Sequence, residues 1–227
     1  MSADSHVLSA GFVDKLAAMQ FENVFNPYAD ICPQYDKSDA ALIRRHNLEF
    51  VLNAAISNGI DSIWIARDLG YRGGRRTGLA LTDEVHLSWQ AKLFSTPPLV
   101  QATQGLGVSE RTANIVWRAL RSIEQPIFLW NVFPFHPHEP GNPMSNRCHK
   151  KFERIACQEL TLWLIETLHP QKVIAIGRDA QAAMVELDIE STQIRHPSYG
   201  GQTDFFAGLA ELYGVSFKTE PLQCELF

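Results

Sequence analysis

The chain has 227 residues, 45% of them hydrophobic, and carries a formal net charge of −5. That length allows a sizeable core and fits one large domain over 1–227 better than two, while the acidic balance excludes bulk electrostatic attachment to nucleic acid and leaves only local basic patches for phosphate contacts. With no apolar run of membrane-spanning length and no signal-peptide pattern at the N-terminus, the expectation is a cytoplasmic, soluble chain without membrane contact.

In chain order, 1–60 reads as a helical extension packed on the rest. One helix spans Leu8 to Gln20, and a second runs from Ser38, a plausible N-cap, to Ser57, stopped by Asn58-Gly59. Asp61 to Ala66 is short, apolar and β-branched enough for the first strand. A loop over Arg67 to Thr82 and a helical pattern from Asp83 to Phe94 follow. Ser109 to Ser122 opens with a capping signal and carries apolar spacing at Ala113, Val116, Trp117 and Leu120. Pro126 to Trp130 reads as the second strand. Asn131 to Ser145 holds four prolines and one glycine and must be a loop, of a length that usually serves a function. One long amphipathic helix is expected over Asn146 to Leu168, closed by Pro170. Then come a strand at Lys172 to Gly177, a helix at Asp179 to Leu187, a short strand at Thr192 to Arg195 and a helix from Gln202 to Tyr213. This alternation predicts an α/β fold, a three-layer α/β/α arrangement around a short, mainly parallel four-stranded sheet with right-handed crossovers.

Each of three motifs follows an apolar run: Arg67-Asp68-Leu69-Gly70-Tyr71-Arg72-Gly73-Gly74-Arg75-Arg76, Trp130-Asn131-Val132-Phe133-Pro134, and His196-Pro197-Ser198-Tyr199-Gly200-Gly201. Asp68, Asn131 and His196 should therefore emerge near the C-terminal ends of parallel strands, where open α/β folds place their sites. An acid, a carboxamide and an imidazole beside a basic, glycine-rich loop point to chemistry on a polyanionic, heterocyclic substrate, as in DNA base excision. Arg72, Arg75 and Arg76 read equally as a phosphate-contacting loop or a solvated charge run. The four cysteines, Cys32, Cys148, Cys157 and Cys224, form no C-x-x-C pair and are expected reduced. His136, His138, Cys148 and His149 match no structural zinc spacing, so no metal is expected.

The three motifs, in this order, resemble the uracil-DNA glycosylase superfamily from about Asp61 to Tyr213. The family's first motif, approximately Gly-(Gln/Glu)-(Asp/Ala)-Pro with glycine or tyrosine next, is occupied here by Ala66-Arg67-Asp68-Leu69-Gly70, with Leu69 where the family has Pro. The resemblance implies that Asp68 is the general base or electrostatic partner and that Asn131 reads the base. It makes His196, in His-Pro-Ser, the second catalytic residue. Gly70 and Tyr71 would line the base pocket, and Leu81 would take the place of the stacking aromatic. Arg72, Arg75, Arg76, Ser198, Tyr199 and Gly200 would contact the DNA. A pocket without a side chain at Gly70, and with Leu81 for stacking, should be loose toward 5-substituted uracils. The cysteine set of the iron-sulfur branch is missing, so no cofactor is expected.

The chemistry suits these residue types. Glycosidic cleavage develops an oxocarbenium-like sugar, which a carboxylate stabilises, and an anionic uracil, which a histidine donor stabilises. An Asn amide complements uracil O4 and N3 and mismatches cytosine. The expected partner is DNA containing uracil or another damaged base, bound by a monomer. Two other readings stay open: a non-catalytic nucleic-acid-binding member of the same fold, and a flavodoxin-like enzyme using Gly70 to Gly78 to cradle a nucleotide phosphate.

Overall fold

A computed structural model describes residues 3–217 of the protein; the expected thiol at Cys224 lies outside them. The elements in order are α1 (Ala3–Ala18), β1 (Val24–Phe25), α2 (Ala40–Asn58), β2 (Ser62–Asp68), α3 (Gly74–Thr77), a 3-10 turn (Glu84–His86), α4 (Leu87–Phe94) and α5 (Arg111–Ile123). They continue with β3 (Ile127–Phe133), β4 (His136–Pro137), α6 (Lys151–Ala156), α7 (Gln158–Leu168), β5 (Lys172–Ile176), α8 (Arg178–Glu186), β6 (Thr192–Ile194) and α9 (Gln202–Tyr213). The central sheet has the order β3-β2-β5-β6, all parallel, and β1 pairs antiparallel with β4 in a separate ribbon.

The strands are apolar without interruption because helices cover both faces, which is what a parallel sheet requires. Ile63, Ile65, Phe128, Trp130 and Ala175 lie in one core cluster with Phe12, Leu16, Leu48, Val51, Leu164 and Met184, contributed by α1, α2, α7 and α8. Trp64, Ala66, Leu129, Ile174, Ile176 and Ile194 lie in the other with Val116, Trp117, Leu120, Phe205 and Leu209 of α5 and α9. The fold is thus the three-layer α/β/α expected. The chain leaves β2 for β3 on one side and returns to β5 on the other, so a topological switch point falls between β2 and β5.

Several boundaries differ from expectation. β2 runs on to Asp68 and offers a ladder partner to Phe133, so β3 extends past Trp130 and Asn131 lies inside it rather than at its end. The loop after β2 contains α3, closed by Gly78 with φ of 72°, where a Cβ would press on Arg44 and Tyr28. The helix expected over 146–168 starts at Lys151 and breaks at Cys157. Polar side chains compete for the preceding backbone: Arg147 pairs with Glu153 at 2.7 Å and donates to the His138 carbonyl, leaving 146–150 irregular. The helix expected from Asp83 begins as a 3-10 turn because the Asp83 carboxylate accepts the His86 N–H. No helix of the described residues is long and apolar enough to cross a membrane.

Candidate active site

Asp68 closes β2 at the C-terminal edge of the sheet. Its carboxylate is held from two sides, by the ring Nδ1 of His149 in the segment before α6 and by Nε of Arg67 at 2.7 Å. The second guanidinium edge of Arg67 reaches Asp179, in the first turn of α8, at 3.0 Å. Arg67 therefore ties the end of β2 to the start of the helix after β5, across the switch point.

His196 follows β6 and lies against Gly177 at the end of β5, where a Cβ would approach the His196 Cβ to 3.3 Å. Its Nδ1 accepts the Ser198 backbone N–H at 3.2 Å and lies 2.8 Å from the Ser198 hydroxyl. With Nδ1 as acceptor, the ring proton resides on Nε2, so that edge is a hydrogen-bond donor. Burial first, then the charges of Arg67 and Arg195, push the imidazole down to about 4, which keeps it neutral at physiological pH. Gly201 is required here, because any Cβ would collide with the His196 carbonyl.

Asn131 pairs in register with Ala66, two residues before Asp68. It is 1% exposed, and neither its Oδ1 nor its Nδ2 has a hydrogen-bond partner among the described residues. Leaving such a group unpaired costs about 1 to 3 kcal/mol.

The glycine-rich turn departs from the expectation for its arginines. Arg75 is 2% and Arg76 7% exposed. The Arg75 guanidinium lies over the Phe25 ring at 3.8 Å and bonds Tyr35 Oη, His136 Nδ1 and the Pro143 carbonyl. Arg76 pairs with Glu84 at 2.8 Å and lies over Tyr35. Both are buried cations engaged in structural contacts, so the DNA-contact assignment fails for them; Arg72 alone of the three is exposed. Leu81 is also corrected: with φ of 53° the chain turns it inward, and it packs in the core cluster of Trp64, Leu69 and Ala113 rather than presenting a stacking face.

Gly70 does not leave open space either. The Glu110 carboxyl, at the N-terminus of α5, lies where side chains at Gly70 and Gly73 would stand; a Cβ on Gly70 would be 2.7 Å from Glu110 Oε1. Burial and the neighbouring Asp83 carboxylate raise Glu110 to about 7, against the pull of Arg72. Tyr71 is half-buried and donates its backbone N–H to Asn146 Oδ1 at 3.0 Å, the same oxygen that lies 3.1 Å from His136 Nε2. The four-residue set weighed against zinc spacing is divided: His136 serves Arg75, and His149 serves Asp68. Ser198 is committed to His196, whereas Tyr199, φ 51°, projects from the loop at 96% exposure beside Gly200 at φ 77°.

The fold thus brings Asp68, Asn131 and His196 to one edge of the sheet, adds Arg67, His149 and Glu110, and withdraws Arg75, Arg76 and Leu81. His149 and Glu110 carry no motif of their own; their meaning comes from contacts with residues distant in sequence.

A neutral imidazole at His196, a carboxylate at Asp68 braced from two sides and the buried, unpaired amide of Asn131 are thus carried on three strands of one short parallel sheet. No family model matches the chain, and no curated protein matches it in sequence. Among solved structures, SMUG2 from Pedobacter heparinus is similar in fold, with a TM-score of 0.54 over 91% of this chain and 97% of that one, at 11% identity. The chain shares the fold of that structure.

Proposed function

We propose that this protein is a DNA glycosylase that hydrolyses the N-glycosidic bond of uracil, or of a related deaminated base, in DNA. The observation that carries the reading is the Asn131 carboxamide, buried with both polar atoms unpaired. Uracil presents O4 as acceptor and N3–H as donor, which this amide satisfies; cytosine reverses both and would need the amide turned end for end.

The target nucleotide leaves the stack to reach this edge, and Tyr199, exposed on a left-handed turn, is suited to fill the gap it leaves. As the bond between the sugar C1′ and the base nitrogen stretches, its electron pair moves to the uracil ring, and the Nε2–H of His196 stabilises the charge growing on the base oxygen. The Asp68 carboxylate stabilises the cationic sugar and orients the water that attacks C1′. Arg67 and His149 hold that carboxylate in place, and Arg72 contacts a phosphate. The likeness of fold to SMUG2 agrees with the family that the motifs resemble.

The test is incubation of the full chain with a uracil-containing oligonucleotide followed by alkali. Strand scission at the uracil supports the reading. DNA affinity without scission identifies a non-catalytic binding protein, and neither one overturns the reading.

A further inference from the structure

Away from the glycosidic edge, a groove of 530 Å³ opens between α5, the 3-10 turn and the segment after α9. The polar stripe of α5 lines it: Asn114, Arg118, Arg121 and Ser122 fall on one helix face by their spacing. The helix begins at Arg111, capped by Glu110 beside the glycine turn, so Arg121 lies about 15 Å along the axis from that first residue.

The two arginines are oriented but unspent. The Arg118 guanidinium rests over the Phe206 ring at 4.1 Å, and the Arg121 guanidinium over Trp89 at 4.8 Å. Phe217 backs Phe206 at 4.9 Å between ring centroids. No ion pair among the described residues engages either arginine, and the buried Nε of Arg118 has no hydrogen-bond partner. Two like charges three residues apart on one helix face repel each other, and this chain has more acids than bases with which to neutralise them. The aromatic contacts hold each guanidinium at the groove without a carboxylate partner, and terminal guanidinium N–H groups of this kind suit a tetrahedral oxyanion.

We propose that this groove is a second anion site that binds a phosphate group through Arg118 and Arg121. The phosphate comes either from a free phosphorylated molecule or from the backbone of a duplex running past the glycosidic edge. Only the second source rests on the proposed function.

The experiment has two arms, each on the full chain and on Arg118→Met and Arg121→Glu variants with folding verified by circular dichroism. Arg118→Met keeps an apolar stem on Phe206, and Arg121→Glu changes a surface side chain whose one ring contact is to the part-exposed Trp89. In the first arm, calorimetric titration with inorganic pyrophosphate should show saturable binding that weakens at least 10-fold in both variants; that result assigns a free phosphate ligand. In the second, affinity for a uracil-free duplex is measured against salt for a short and a long duplex. A salt slope that flattens by about one unit per lost arginine on the long duplex alone assigns the phosphate to flanking DNA. Wild-type and variant behaviour that coincide in both arms overturns the site. Because neither arm measures base release, failure here is distinct from failure of the glycosylase reading.

Discussion

The carboxylate of Asp68 is gripped by the imidazole of His149, a residue 81 positions further along the chain. The ring also packs near Phe133, with 5.7 Å between centroids, so it is fixed from behind while it holds the acid. If Asp68 acts on the sugar, His149 sets its orientation. Asp68→Asn is expected to slow single-turnover uracil release by about 100-fold or more, and His149→Ala by between about 10- and 100-fold with little change in DNA affinity. Wild-type rates in His149→Ala would remove it from the positioning of the acid.

Asn131→Leu separates stability from function. The substitution removes a buried amide whose polar atoms are unpaired, so the variant is expected to be more stable by about 1 to 3 kcal/mol in urea unfolding. The same change should abolish base release. A variant that is destabilised instead would show that the amide has partners in solution.

The arginines of the glycine turn make opposite predictions. Arg76→Ala leaves Glu84 buried without its cation and should cost about 3 to 5 kcal/mol of stability. Arg72→Ala should leave stability within about 0.5 kcal/mol and flatten the salt slope of DNA binding by about one unit. Denaturation and salt-titrated binding of both variants check the assignment.

Two groups of opposite sign shape the pH dependence of stability. His196 and His136 are held down to about 4 and about 3, in each case chiefly by burial, and the unfolded ring titrates near 6.5. The unfolded chain therefore binds more protons in that interval, and their stabilisation, complete above 6.5, is lost as pH falls through the folded values. Glu110 is raised to about 7 from 4.5, so its contribution is complete below 4.5 and is lost as pH rises through 7. Glu110→Gln is thus expected to raise the melting temperature at pH 8 by about 2 to 4 °C, the equivalent of about 1 kcal/mol in a chain of this size, and to give no such gain at pH 4.5. Equal shifts at the two pH values would contradict an elevated Glu110.

Tyr199→Ala removes a side chain that is 96% exposed, so thermal stability should be unchanged. Release of uracil from duplex DNA should fall by more than release from single strands, because only the duplex requires a base to be extruded and replaced. Equal losses on both substrates would assign Tyr199 a different role.

The apolar runs at Ile63, Phe128 and Ile174, and the 3.6-residue spacing of Val116, Trp117 and Leu120, determine a parallel sheet covered on both faces. Burial of these side chains is a local requirement legible from period alone. The positions of Asp68 at the end of β2 and His196 just after β6 are legible for the same reason, whereas the two residues by which β3 runs past Asn131 are not. The charges were not. Arg75 and Arg76 look like a surface cluster in sequence, and only Phe25, Tyr35, Glu84 and His136, brought from elsewhere, make burial affordable for them. Gly70 reads as missing bulk until Glu110 is found in that space, and the late start of α6 at Lys151 depends on Arg147 finding Glu153 and the distant His138 carbonyl. Periodicity reports which face a residue turns to the core, whereas the partner of a polar group is decided by long-range packing, which local sequence does not encode.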